Sequence, residues 1–413
     1  MSSLSDVLSR LYARIPLGMR LGLEPMRSAC ARAGHPERAF PAVHVAGTNG
    51  KGSVCAMVEA IARADGRKTG LYTSPHLCRF AERIRLDGDP VDDDLLSSLL
   101  GRALDAGPDL SFFETATLAA FFVFQDARVD LAVLEVGMGG RLDATNVIPP
   151  PRAAAITRIA LDHTDRLGMT LIDIAREKAG IAKPGVDIVV GAVPRSVREA
   201  IDEVAHARGA TTSEATEEAP VEVGPAGEHQ RDNARVAAAL GERIGASPAA
   251  IASGIATARW PGRLERIGEF LLDAAHNPDG AEALARHLRS LALAPDRIAL
   301  VFGALADKDW APMLDVLAPL ADTRIYVAPA RASRAVVDPG IMAERHFGRV
   351  ASSIEEALAM FGRPRGPTPP PAGPFPAPPE RGRPLVVVAG SLVLVGQARA
   401  RLLALPCDPP VAL

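Results

Sequence analysis

Cysteine is scarce in this chain, with four among 413 residues. Cys30, Cys55, Cys78 and Cys407 form no CxxC pair and share no metal-ligand spacing, which excludes a zinc-ribbon site and a disulfide framework. An excess of one charge is also lacking. A formal net charge of −3 leaves no electrostatic case for a nucleic-acid or membrane partner, so an anionic substrate needs a local cluster of donors. Long apolar runs are missing as well: Leu118–Phe124 and Leu385–Ala389 fall far short of the ~20 residues of a membrane span. The opening MSSLSDVLSRLYARIP has neither the basic head nor the apolar stretch of a secretory signal. These absences together predict a cytoplasmic protein with reduced thiols.

What is present is the balance of a soluble globular protein: 48% hydrophobic and 23% charged residues are enough to bury full cores. The length predicts two or three domains. Short apolar runs at Ala42–Val45, Leu131–Val136, Ala153–Ile159, Ile188–Val190, Phe270–Asp273, Ile298–Phe302, Arg324–Val327 and Pro384–Ala389 read as strands. Ser53–Asp65, Glu114–Gln125, Leu171–Ala179 and Asn233–Ile244 read as helices between them. Continuous apolar strands alternating with helices predict an α/β fold with mostly parallel sheets covered on both faces. A boundary is expected near Trp260-Pro261-Gly262, dividing a larger 1–261 domain from a smaller 262–413 domain. The proline-rich stretch at about 363–384 reads as an extended surface loop, and Thr211–Gly227 as a loop or edge hairpin. No internal repeat stands out.

The strongest local signal is AVHVAGTNGKGSVCAMVEAIA, a buried strand feeding a glycine-rich loop and then a helix. In Gly47-Thr48-Asn49-Gly50-Lys51-Gly52-Ser53, glycines let backbone N–H groups wrap a polyphosphate, and the helix N-terminus adds a favourable dipole. Lys51 would neutralise the β- and γ-phosphates, and the Ser53 hydroxyl would bind Mg²⁺. The spacing departs from the commonest P-loop, because the first glycine lies four residues before Lys51 and Gly52 separates lysine from serine. Glu135 closes a second apolar strand ahead of another glycine-rich turn, at the edge where open α/β sheets bind ligands, and suits Mg²⁺. His163 follows a third strand and reads either as a metal ligand or as a polar loop residue. Lys178, in IAREKAGI, reads from its pattern as a snorkelling surface lysine.

Ten motifs in one order carry a resemblance: HVAGTNGKGS, YTSPHLCRFAERI, FFETATLAAF, LEVGMGGRLDATN, ITRIALDHTDRLG, IAREKAGI, WPGRLE, LLDAAHNPDG, GALADKD and AGSLVLVG. Spanning residues 43 to 396, they resemble the folylpolyglutamate synthase/dihydrofolate synthase family of Mur-type ligases. The resemblance implies an N-terminal P-loop-type ATPase domain and a smaller Rossmann-like C-terminal domain. It implies ATP cradled by Asn49, Gly50, Lys51, Gly52 and Ser53, with Asn233, Arg263, Asp273 and His276 as further nucleotide contacts. Two Mg²⁺ ions are implied, held by Ser53, Ser74, Glu135, His163 and a carbamate formed from CO₂ on Lys178, so that Lys51, His163 and Lys178 are the catalytic set. A cis Ser74-Pro75 peptide is also implied, and a pterin surface at Phe113, Glu114, Thr115, Leu142, Asp143 and Ala144. Met138 stands where leucine is more usual, a volume-conserving change. No role is expected for Asp307-Lys308-Asp309.

The chemistry so implied is ATP-dependent amide formation, in which L-glutamate is joined to dihydropteroate or to reduced folates through an acyl phosphate, and the family leans monomeric. Closure of the second domain over the nucleotide, with a hinge near Arg259–Gly262, would exclude water from that intermediate. Three other readings compete. A Mur-type ligase for a UDP-linked precursor normally carries a further N-terminal domain ahead of the P-loop, for which the residues before Gly47 are too few. A simple P-loop kinase or NTPase would explain Lys51 and Glu135 but not the HNP segment. A nucleotide-binding regulator with a dead site is contradicted by the presence of Lys51, Glu135 and Lys178.

Overall fold

The computed structural model describes residues 3–15, 22–215, 222–330, 334–362 and 383–408. The proline-rich stretch after Gly362 lies outside them, apart from Arg383 and Pro384. The chain separates into two compact units: Met1–His76, Phe80–Val223 and Gln230–Arg259 form the first, and Leu77–Arg79, Gly224–His229 and Trp260–Leu413 the second.

In the first unit the strands are β1 (Ala42–Ala46), β2 (Thr69–Tyr72), β3 (Ile84–Leu86), β4 (Asp89–Pro90), β5 (Leu131–Glu135), β6 (Ala153–Ile156), β7 (Asp187–Val190) and β8 (Thr211–Glu214). They form one eight-stranded sheet in the order β4-β3-β2-β5-β1-β6-β7-β8. All neighbours pair in parallel except β2 with β3 and β3 with β4. Every residue of β1, β5 and β6 is buried, as parallel strands covered by helices on both faces require. β1 tolerates His44 at its centre because the ring Nε2 meets the Thr145 hydroxyl at 2.8 Å, and burial pushes the imidazole pKa down to about 3, keeping it neutral.

This order has a functional consequence. From β1 the chain runs first to β2, beyond β5, and later to β6 on the opposite side, so β1 sits at the point where the winding reverses. Loops leaving the carboxyl ends of β1, β5 and β6 diverge there and leave a crevice. The Gly47–Gly50 loop, the Gly137–Gly140 turn and the Arg158–His163 segment are those three loops.

Two helices set the site. Phe112–Ala127 starts at a capping box between Ser111 and Glu114 and is apolar all round, so the Leu118–Phe124 run is a buried core helix. Lys51–Ala64 carries the P-loop lysine and serine, and the helix Pro248–Thr257 packs on it through Gly254. Among the described residues no helix is long and apolar enough to cross a membrane.

The second unit holds β9 (Glu265–Ile267), β10 (Phe270–Leu272), β11 (Ile298–Phe302), β12 (Thr323–Val327), β13 (Arg349–Ala351) and β14 (Leu385–Ala389), ordered β13-β12-β11-β14-β10-β9. Only β9 is antiparallel. Alternation along the strands feeds two cores. Leu271, Leu300, Phe302 and Val387 pack with the helices Pro278–Ser290 and Trp310–Leu317, whereas Phe270, Leu272, Val301 and Val388 pack with Ile354–Ala359 and Leu392–Leu403.

Two expectations change. The strand expected over Ala153–Ile159 stops at Ile156, because Arg158 O accepts from Thr48 N at 2.7 Å and Ala160 exchanges two 3.1 Å bonds with the Thr48 hydroxyl. Those residues leave the sheet to brace the P-loop. Thr211–Glu214 is a parallel edge strand on β7 rather than part of a hairpin, its polar side chains tied to Asp187, Asp202, Arg198 and Arg243.

A Cβ on Gly254 would lie 2.4 Å from the Ile61 backbone, whereas one on Gly101, within the helix Asp93–Ala106, meets nothing within 4 Å. Gly254→Val should therefore force the two helices apart and cost about 3 kcal/mol. Gly101→Ala should stabilise by about 0.5–1 kcal/mol. Midpoints of urea unfolding followed by circular dichroism check both signs.

Candidate active site

The P-loop owes its shape to two glycines. Gly47 has φ +147° and Gly50 φ +90°, conformations that side chains rarely adopt. Each is also crowded: a Cβ on Gly47 would fall 1.8 Å from Thr157 Oγ1, and one on Gly50 would fall 2.3 Å from Asn233 Oδ1. Thr157 Oγ1 donates to Asn49 O at 2.8 Å and so fixes the loop from the β6 side. Lys51 Nζ donates to the carbonyls of Gly47 at 3.0 Å and Thr48 at 3.1 Å, holding its ammonium on the loop it is expected to serve.

Lys178 is not the surface residue that its sequence pattern suggests. It is 5% exposed, and its Nζ donates to Gly47 O at 2.8 Å, the same carbonyl that Lys51 uses. Burial, and then the Lys51 charge, lower its pKa to about 7, while Asp162 and Asp143 oppose the shift. The loop after β6 thus supplies Asp162 as well as His163. His163 has left-handed backbone (φ 52°), and its N–H donates to Asp162 Oδ1 at 3.0 Å. Near neutral pH a substantial fraction of Lys178 is therefore the free amine.

Glu135 is buried at the end of β5, and its Oε2 accepts from Ser74 N at 3.0 Å, which joins the SPH segment to the β5 edge. The Ser74-Pro75 peptide is cis, in line with the resemblance. Ser53 is 3% exposed and receives a 3.2 Å bond from Gln230 Nε2, and Gln230 Oε1 accepts from Asn233 Nδ2 at 2.9 Å. Among the described residues no three His, Cys, Asp or Glu side chains form a ready metal cage. Serine hydroxyls and one carboxylate are nevertheless hard oxygen donors that suit Mg²⁺, an ion that takes few protein ligands and completes its shell with phosphate and water oxygens.

The expected pterin residues divide by task. Glu114 Oε2 accepts from Ser111 N and Oγ, and Thr115 Oγ1 donates to Ser111 O and accepts from Arg14, so both side chains have internal partners. Asp143 accepts from Met138 N and from the amide and hydroxyl of Thr145, which ties the glycine-rich turn together. Burial raises its pKa against those bonds. Ala144 is buried; Leu142 and Phe113 keep partial exposure, and the Phe113 ring lies where a Cβ on Gly137 would be 2.3 Å away.

In the second unit, Asp273 follows β10 and accepts from Leu264 N at 2.9 Å and Ala275 N at 3.0 Å. Burial raises its pKa, and the Arg263 charge chiefly opposes the shift. His276 Nδ1 meets Ala274 O at 2.9 Å, and Asn277 caps the helix Pro278–Ser290.

Residues 45–190 match the Mur ligase middle domain, and residues 262–363 match the Mur ligase glutamate ligase domain. The dihydrofolate synthase/folylpolyglutamate synthase of Bacillus subtilis (strain 168) is 36% identical over 359 residues, covering 76% of this chain and 83% of that protein. The chain belongs to the dihydrofolate synthase/folylpolyglutamate synthase family. A probable bifunctional folylpolyglutamate synthase/dihydropteroate synthase of Haloferax volcanii is 34% identical over 420 residues, covering 92% of the chain, which spans about half (48%) of that relative's length. The solved structure described as "E.coli FolC in complex with DHPP and ADP" superposes with a TM-score of 0.84 at 32% identity, covering 97% of this chain and 98% of that one. Ligase chemistry and the two-domain Mur-type α/β fold follow from membership of this family.

For a dihydrofolate synthase/folylpolyglutamate synthase, sequence reading missed three residues at this edge. Thr157 follows β6 in a run the strand pattern absorbed, although a polar residue right after an apolar strand was an available signal, and Asp162 lay in the segment beyond that run without a role of its own. Gln230 carried no signal at all. The Thr157 contact is directly testable: Thr157→Val keeps the shape, removes the bond to Asn49 O and should cost about 1 kcal/mol in urea unfolding.

Proposed function

We propose that the chain is a cytoplasmic, monomeric ATP-dependent ligase that joins L-glutamate to dihydropteroate and to reduced folates. The observation that carries this reading is the pair of lysines on one carbonyl: Lys51 and Lys178 both donate to Gly47 O, at the switch point of the sheet and at the mouth of a glycine-rich loop. Cations gathered there suit a polyphosphate and a phosphorylated carboxylate. Cytoplasmic placement is supported by four free cysteines, three of them buried.

In this reading 1–261 is the ATP- and pterin-binding domain and 262–413 the C-terminal Mur-type domain. Asn49 to Ser53 cradle the phosphates and Lys51 neutralises them. Ser53 and Ser74 hold one Mg²⁺, and Glu135, His163 and a carbamate on Lys178 hold a second. Mg²⁺ held by those residues would supply neutralisation of phosphate charge. Arg263, Asp273, His276 and Asn233 contact the nucleotide, on the strength of the resemblance. Phe113 and Leu142 present the pterin surface that Glu114, Thr115, Asp143 and Ala144 shape from behind.

The reaction needs no enzyme nucleophile. A substrate carboxylate oxygen attacks the γ-phosphorus and ADP leaves. The glutamate nitrogen then attacks the acyl carbon, loses a proton, and expels phosphate. The chain's work is positioning and charge neutralisation. For the carbamate, Lys178 first gives up its ammonium proton; the Nζ lone pair of the free amine then attacks the carbon of CO₂ and a second N–H proton goes to solvent, leaving an anion where the cation stood.

Phosphate release from ATP with Mg²⁺ and L-glutamate tests the function. It should depend on dihydropteroate or tetrahydrofolate, and each product should gain the mass of one glutamyl unit. Absence of both gains in a protein that still binds ATP removes the folate assignment. For the carbamate, protein equilibrated with ¹³C-bicarbonate should show one carbamate resonance that Lys178→Arg abolishes. That variant should lose about 100-fold or more in turnover. Full turnover without the resonance removes the modified lysine from the mechanism.

A further inference from the structure

Three buried polar side chains run in series through the first unit. Ser53 opens the helix Lys51–Ala64, while Gln230 and Asn233 lie one turn apart on the helix His229–Arg243. Gln230 Nε2 donates to Ser53 Oγ at 3.2 Å, and Gln230 Oε1 accepts from Asn233 Nδ2 at 2.9 Å. Asn233 Oδ1 in turn closes on Gly50, leaving no room for a Cβ. Gln230 is 1% exposed, so it acts through its neighbours rather than on a ligand.

We propose that Gln230 is a positioning residue that couples the metal-binding hydroxyl of Ser53 to the nucleotide-facing amide of Asn233. The inference rests on the nucleotide and Mg²⁺ roles given to Ser53 and Asn233 above and assigns a function to a residue those roles leave out. Its physical basis is the wiring of amides. A primary amide donates from one end and accepts at the other, so two amides in series share a single polarity. Reversing Gln230 obliges Asn233 to reverse, and it also converts the Ser53 hydroxyl from acceptor to donor. An unsatisfied amide in so dry a place is costly, and the three groups therefore move together.

The Ser53 hydroxyl has three staggered positions available about its Cα–Cβ bond. A donor fixed at 3.2 Å selects one of them and leaves the second lone pair of Oγ for the ion. On the other side, the same glutamine decides whether Asn233 presents its oxygen or its nitrogen towards Gly50. Metal at one end of the P-loop and nucleotide at the other thus read each other through a residue that touches neither. A glutamine that merely pinned two helices together would give stability without this selectivity.

Calorimetric titration of ADP, with Mg²⁺ and with EDTA, separates the two roles in wild type, Q230M, S53A and the S53A/Q230M double variant. Wild type should bind ADP more tightly when Mg²⁺ is present. In Q230M that Mg²⁺-dependent gain should shrink about five- to tenfold, the size of one hydrogen bond. S53A should lose the gain, and adding Q230M to S53A should change it no further, because coupled residues are not additive. Q230N keeps the amide but is one methylene too short to span both partners, and it carries the same expectation if Q230M does not fold. A Mg²⁺ gain equal to wild type in the glutamine variants, or additive losses in the double variant, overturns the coupling while leaving the ligase reading intact. A wild-type chain that binds no ADP removes the nucleotide role and this inference with it.

Discussion

The carbonyl of Gly47 is the constraint around which the rest of the first unit is organised. It accepts from Lys51 Nζ at 3.0 Å and from Lys178 Nζ at 2.8 Å, so two ammonium groups share one oxygen beneath a glycine-rich loop. No single carbonyl neutralises two cations. Lys178 relieves part of the conflict by holding its proton weakly, with a pKa near 7, because burial and the Lys51 charge both disfavour its charged form. A bound anion would relieve it further. The loop is thus electrostatically incomplete, a state that suits it to an anion.

Keeping that carbonyl in place takes backbone that only glycine adopts, and a second strand to lean on. Gly47 turns at φ +147° directly against Thr157, whose hydroxyl reaches across to Asn49 O. Residues 158 to 160 give up sheet pairing to bond the loop instead. The topology makes this possible, since β6 is the immediate neighbour of β1. An insertion between these strands would part the loop from its brace, which is why the reversal of strand order and the position of the site are one fact.

Much of this was legible in the sequence, and the reasons for the gaps are physical. Apolar runs marked β1, β5, β11 and β14 because strands buried on both faces need them. β2 (TGLY) does not read as a strand, and β8 (TTSE) reads only as part of a loop or edge hairpin. In β2, Gly70 lies against the Phe124 ring, where a Cβ would be 2.5 Å away, and β8 is an edge that polar residues suit. Lys51 announced itself through the glycines around it. Lys178 stood out only through the family resemblance, because a lysine in an amphipathic helix usually faces water, and tertiary packing turns this one inwards. Gln230 is invisible for the same reason: its meaning lies in partners 177 residues before it and three after.

The glycine-rich turn after β5 is held by close backbone packing against the helix that carries Lys178. Gly140 lies on the carbonyl of Lys178, where a Cβ would be 2.7 Å away, and Gly180 lies on the Arg141 backbone, where a Cβ would be 2.5 Å away. Arg141 N donates to Glu177 O at 2.9 Å, its guanidinium pairs with the Glu177 carboxylate at 2.8 Å, and Asn146 Nδ2 donates to both Arg141 O and Gly180 O. Two segments some forty residues apart are therefore pressed backbone to backbone. That contact delivers the helix carrying Lys178 to the P-loop at the depth where its amine reaches Gly47. The turn looks like a ligand loop in sequence, yet Gly140, Arg141 and Asn146 pack on the segment of Lys178, whose amine lies 2.8 Å from Gly47 O.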